Sequence, residues 1–97
     1  MDFAKEPMFE IIYTNQFDKD VLRCAKRGLK LDLLKEVINY LVIKGTVPAK
    51  HRPHILSGNF QGYWECHVKA DWLLIWIKNE TQRTITLVGT GNHSDLF

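Results

Sequence analysis

Trp72-Leu73-Leu74-Ile75-Trp76-Ile77 is a run of six apolar residues with no polar alternation. A strand of this kind is apolar on both faces, so it belongs in the middle of a sheet and not at its edge. Two short polar segments bracket it, Lys69-Ala70-Asp71 before and Asn79-Glu80-Thr81-Gln82 after. Connections this short force antiparallel pairing. Residues 63–68, 72–78 and 83–89 therefore read as a three-stranded antiparallel meander. Thr84-Ile85-Thr86-Leu87 alternates, so one face of the last strand meets solvent or a cleft.

Upstream of the meander the period changes. Phe9-Glu10-Ile11-Ile12-Tyr13 is a β-rich run that ends at Thr14-Asn15, a first strand with Asn15 placed to cap a helix. Phe17, Val21, Cys24 and Ala25 then recur at helical spacing, and Gly28 stands where a helix would end. On the same helix Lys19, Arg23, Lys26, Arg27 and Lys30 form a second stripe, about 160° from the apolar one at ~100° per residue. A second helix starts near Asp32, buries Leu33, Leu34, Val37, Ile38, Leu41 and Val42, and closes at Gly45. With so few residues between them, the two helices should pack as an antiparallel hairpin. Residues 46–53, with Pro48 and Pro53, read as an exposed irregular connection. The expected architecture is α+β: an N-terminal strand, a helix hairpin covering one face, then the meander, all in one sheet and one domain over residues 1–97.

Composition agrees with a single globular unit. The chain has 97 residues, 45% hydrophobic and 25% charged, which excludes disordered, collagen-like and rod-like classes. The net charge of +2 conceals a segregation. Residues 19–52 hold nine bases against three acids, a net of +6, while the remainder holds four bases against eight acids, a net of −4. Such one-sidedness is the footprint of an anionic partner, although a solvated basic face has the same look. Cys24 and Cys66 form no CxxC and read as free thiols, and Met1-Asp2-Phe3-Ala4-Lys5-Glu6-Pro7 is too short and polar for a leader. The longest apolar run falls far short of the ~20 residues of a membrane span. The expected setting is cytoplasmic, with no membrane partner.

All four histidines, His51, His54, His67 and His93, lie in the C-terminal half, at loops or strand ends. Glu65 and His67 are two apart on one strand and share a face, Asp71 stands at the next turn, and His93 lies past the last strand. Imidazoles converging on one cleft would be suited to moving protons near neutrality. No HxxxH, HExxH or CxxC is present, and Cys66 and His67 point to opposite faces, so no metal or other cofactor is expected. Each residue also has a plainer reading: Asp71 as a turn former, Trp72 and Trp76 as core, His93 and Phe97 as packing for the tail.

Three segments, His54-Ile55-Leu56-Ser57-Gly58-Asn59-Phe60-Gln61-Gly62-Tyr63, Glu65-Cys66-His67-Val68-Lys69-Ala70-Asp71-Trp72-Leu73-Leu74-Ile75 and Thr90-Gly91-Asn92-His93-Ser94-Asp95-Leu96-Phe97, closely resemble the YafQ branch of the RelE/ParE toxin superfamily. The resemblance covers nearly the whole chain. It implies a RelE-like fold and the toxin of a bacterial type II toxin–antitoxin pair, a ribosome-dependent endoribonuclease that cuts mRNA in the A site. It also implies a small cognate antitoxin of the DinJ/RelB kind. By the same resemblance His54, His67, Asp71 and His93 are catalytic and Glu65 supports them. Trp72 and Phe97 are functional positions too, expected to contact bases; from their charge, Lys50, Arg52 and Lys69 are expected to bind substrate, and Lys19, Arg23, Lys26, Arg27 and Lys30 to dock on the ribosome. Relatives often carry two further arginines, at places held here by the Val88-Gly89 region and by Trp64. Two other readings compete: a ParE-like gyrase inhibitor, and a plain RNA-binding module.

Overall fold

The computed structural model describes residues 8–97. Residues 1–7, the segment read above as too polar for a leader, lie outside the described residues. The elements are β1 (Glu10–Tyr13), α1 (Asn15–Lys26), α2 (Leu31–Lys44), β2 (His54–Ile55), β3 (Trp64–Lys69), β4 (Trp72–Asn79), β5 (Thr84–Gly91) and α3 (His93–Leu96). They form one five-stranded sheet in the order β1-β5-β4-β3-β2, with β4 in the middle as its apolar run requires. Trp72 to Trp76 are all buried, and the strand emerges only at Ile77. The meander is antiparallel as expected, whereas β1 lies parallel to β5 because two helices carry the chain back over one face.

α1 packs mainly on β5 and α2 on β3, closing a core of Phe17, Cys24, Leu34, Val37 and Leu41 over Cys66, Trp72, Leu74, Trp76, Ile85 and Leu87. Gly45 ends α2 at φ 73°, and a Cβ there would stand 2.5 Å from the Phe9 ring, so only glycine lets α2 turn against the start of β1. No helix among the described residues is long and apolar enough to cross a membrane.

Four details differ from the sequence reading. First, the cap of α1 is Thr14, not Asn15. One hydroxyl accepts from Phe17 N at 3.0 Å and donates to Leu87 O at 2.8 Å, tying the helix start to β5. Second, α2 begins at Leu31 with Lys30 before it. Asp32 lies inside the first turn, where its charge faces the positive end of the helix without capping it. Third, Ala25 is exposed and Asp20 is buried, because the buried face of α1 runs through Phe17, Asp20 and Cys24. Fourth, the sheet gains a two-residue edge strand, β2, pairing His54 with Glu65 and Ile55 with Trp64.

Asp20 explains itself from the sheet. β1 ends opposite Leu87, leaving the rest of the β5 edge without a strand partner. There Asp20 Oδ2 accepts from Thr90 N at 3.1 Å, while its Oδ1 accepts from Gln16 at 2.8 Å and Arg23 at 3.0 Å. Side chains of α1 thus satisfy the backbone where the strand stops.

Candidate active site

The site is built around β3, the β3–β4 turn and the tail. Strand alternation sends Cys66 and Val68 into the core and Glu65 and His67 to the other side. Pairing with β2 sets His54 opposite Glu65, and the two side chains meet at 3.1 Å, His54 Nε2 to Glu65 Oε1. The other ring nitrogen, Nδ1, lies 2.9 Å from Arg52 O. A carbonyl only accepts, so Nδ1 donates to it. Both ring nitrogens of His54 are thus engaged, Nδ1 with the Arg52 carbonyl and Nε2 with the Glu65 carboxyl group, and neither is free to meet a substrate proton. That separates it from His67, with which the sequence grouped it.

His67 Nδ1 stands 3.0 Å from Ala70 O and donates to it, which leaves Nε2 as the free nitrogen. Arg52 comes within 3.4 Å of the same Nδ1. Two donors do not bond, so Arg52 there supplies charge and no hydrogen bond. A residue outside the expected set, His51, straps the strand through Nδ1 to His67 O at 2.7 Å and leans on the Tyr40 ring. No spacing rule marks His51, which reads only as part of a loop. Lys50, Arg52 and Lys69 are brought together with His67 around a cavity of about 360 Å³, facing Glu36 as its one acid. The cations expected from sequence do converge.

At the β3–β4 turn Asp71 Oδ1 meets His93 Nδ1 at 2.9 Å and His93 N at 3.3 Å. The carboxylate fixes the tautomer: Nδ1 carries a proton and Nε2 points outward, on a side chain that is 62% exposed. The hydrogen bond from His93 holds the Asp71 carboxyl below its ordinary range, and the charges of His93 and His67 act in the same direction. Asp71 is therefore bonded to one imidazole, His93, and lies within the electrostatic reach of a second, His67. Phe97 packs edge-on against Phe60 at 5.0 Å and close to His93 at 5.9 Å, half its surface open.

Trp72 is the principal correction within the site. It is only 5% exposed, and its indole N–H donates to Thr90 Oγ1 at 2.9 Å. It forms a wall of a cavity of about 400 Å³ with Arg27, Leu29, Lys69, Asp71 and Asn92, and is no free platform for a base. The α1 stripe also divides. Arg23 pairs with Asp20, and Arg27 binds Asp95 through two N–H groups at 2.6 and 2.9 Å, while Lys19, Lys26 and Lys30 point to solvent. Both cysteines are buried, and burial pushes the Cys66 thiol up to about 12, so neither is a nucleophile. Among the described residues no three His, Cys, Asp or Glu side chains are grouped to hold a metal ion.

The last turn is held by charge. Asn92 caps α3 reciprocally with Asp95, and Gly91, at φ 150°, lets Asp95 Oδ2 approach to where a Cβ would sit 2.6 Å away. The Arg27 guanidinium holds the Asp95 carboxyl down at about 2, against 3.8 for a free aspartate. A carboxylate lowered in the folded state stabilises fully above its unfolded pKa, so this contribution is complete above about pH 4 and fades as pH falls through about 2. Carboxyl NMR across that range should show Asp95 titrating well below a free aspartate. A midpoint near 4 would refute the pair.

A small α+β domain with carboxylate-held imidazoles beside a cationic cavity has its counterparts among bacterial toxins of known structure. YafQ from Escherichia coli strain BL21(DE3) superposes with a TM-score of 0.84 at 31% identity, covering 92% of this chain and 98% of that one. Residues 9–97 match the family described as the bacterial toxin of type II toxin–antitoxin system, YafQ, and the chain belongs to that family. It is 36% identical over 90 residues to the mRNA interferase toxin YafQ of E. coli K12, covering 91% of this chain and 95% of the relative. The E. coli DinJ–YafQ toxin–antitoxin complex is also similar, with a TM-score of 0.83, 32% identity, and coverage of 93% and 98%.

Proposed function

We propose that this protein is an mRNA interferase, the toxin of a type II pair, that cuts translated mRNA on the ribosome in the cytoplasm. The observation that carries the reading is the His93–Asp71 contact, which leaves one His93 ring nitrogen free, with His67 and three cations gathered round a cavity on the other side of the β3–β4 turn. RNA holds its own nucleophile, so the protein needs only to move two protons and stabilise charge. His67 Nε2 takes the proton of the 2′-OH as that oxygen bonds to phosphorus. The P–O5′ bond breaks, and His93 Nε2–H gives its proton to the leaving oxygen, leaving a 2′,3′-cyclic phosphate and a 5′-OH. Lys50, Arg52 and Lys69, beside the His54–Glu65 pair, stabilise the crowded phosphoryl oxygens. Phe97 offers its open face to a base. The partner expected from the DinJ–YafQ complex is an acidic antitoxin that covers this basic surface.

Primer extension on a translated message, with and without the protein, tests the reading. Cuts in codon phase, dependent on ribosomes, are expected; gyrase poisoning without cleavage would establish the ParE-like alternative instead. Docking is assigned to Lys19, Lys26 and Lys30. Changing all three to Gln should raise the half-saturating ribosome concentration and reduce the slope of log affinity against log salt by about 2–3. An unchanged slope would remove these residues from the interface.

A further inference from the structure

We infer that the Arg27–Asp95 ion pair is a latch that places His93, so that Arg27 and Asp95 are positioning residues for the cleavage step and not part of ribosome docking. This rests on the proposed activity and deepens it. α3 has four residues, too few to hold a helical turn by its own hydrogen bonds. The catalytic imidazole it carries is 62% exposed, and its partner Asp71 is 63% exposed. An exposed pair is weak in water and fixes little by itself. Two residues along the same turn, Asp95 is only 10% exposed and accepts from Arg27 at 2.6 and 2.9 Å and from Asn92 N at 2.9 Å. Arg23 Nε adds its charge from 3.6 Å. Arg27 is itself anchored, since it caps α1 with its backbone N–H directed at carbonyls of the last turn. A paired planar fork fixes direction as well as distance. The imidazole is therefore referenced to α1 and β5, the rigid part of the fold, through Asp95, and only its final orientation is left to Asp71.

The test compares Asp95→Asn, Arg27→Gln, Arg27→Lys and the reversed pair R27D/D95R in single-turnover cleavage on programmed ribosomes. Asp95→Asn and Arg27→Gln should each lower the rate at saturation by about 10–100-fold, with the half-saturating ribosome concentration changed less than about twofold. Arg27→Lys should keep part of the rate, because an ammonium cannot make the two-pronged contact. The reversed pair should recover at least part of what either single change loses. In the free protein, Asp95→Asn should shift the His93 ring signals while leaving those of the sheet in place. If Arg27→Gln raises the half-saturating concentration at full rate and Asp95→Asn is silent, Arg27 is a docking residue and the latch is wrong. If the unmodified protein cuts no translated mRNA, the proposed activity fails. The His93 ring signals then decide the latch alone, and their invariance in Asp95→Asn overturns it.

Discussion

Replacing His93 by Ala is expected to slow cleavage of ribosome-bound mRNA by about 10²–10⁴-fold with little change in ribosome affinity, the range that loss of a proton donor produces. His93 has its Nδ1 committed to Asp71 and its Nε2 free, so one ring nitrogen is available for chemistry and its protonation is set by the other. An alkoxide leaving group without a donor must depart as an anion, which is the step the substitution should expose. A substrate with a 5′-thio leaving group, whose departure needs no proton, should recover most of the loss. Near-normal single-turnover cutting by His93→Ala would end the assignment. Asp71→Asn should give a smaller defect, since an amide can still meet Nδ1 but no longer requires it to be protonated. The structural cost of His93→Ala is small, because the side chain is largely exposed, so a lost rate would not report lost folding.

Asp20→Ala should lower folding stability by about 3 kcal/mol, by leaving Thr90 N–H without its acceptor and taking from Arg23 its shortest ion pair. Asp20 is 2% exposed and closes the part of the β5 edge that β1 does not reach. Asp20→Asn keeps an oxygen for Thr90 but removes the charge facing Arg23, and should cost about 1 kcal/mol. Urea unfolding measures both, with the midpoint falling and the slope unchanged. A loss below about 1 kcal/mol for Asp20→Ala would mean that the β5 edge is satisfied some other way. Because Thr90 also takes the Trp72 indole N–H, the same substitution should loosen the wall of the larger cavity.

The central strand was legible because its cause is local: six consecutive apolar residues have one stable place in a sheet. The helices were legible for the same reason, through their period. β2 was not, since two residues, one of them the polar His54, carry no period and pair only because Glu65 and Trp64 lie opposite. A signal for Asp20 was present and unread: it falls in register with Phe17 and Cys24, so an acid stood within the apolar spacing of α1. In the site, Glu65 and His67 came from alternation, Asp71 and His93 from their places at the next turn and past the last strand, and the resemblance supplied their roles. The burial of Trp72 fits its plainer reading as core, but its bond to Thr90 did not come from the sequence. Nor did the division of the basic stripe, because the carboxylate that claims Arg27 lies 68 residues away and leaves no trace in the charge pattern of α1.

The parallel pairing of Glu10–Tyr13 with residues 84–87 also bears on when this protein becomes dangerous. A nascent chain makes its first strand early, but that strand has no neighbour until β5 emerges about seventy residues later. Joining them closes a long loop, a costly and slow kind of contact. His93 is translated later still. The toxin therefore stays unarmed until strands from both ends of this long loop have left the ribosome together.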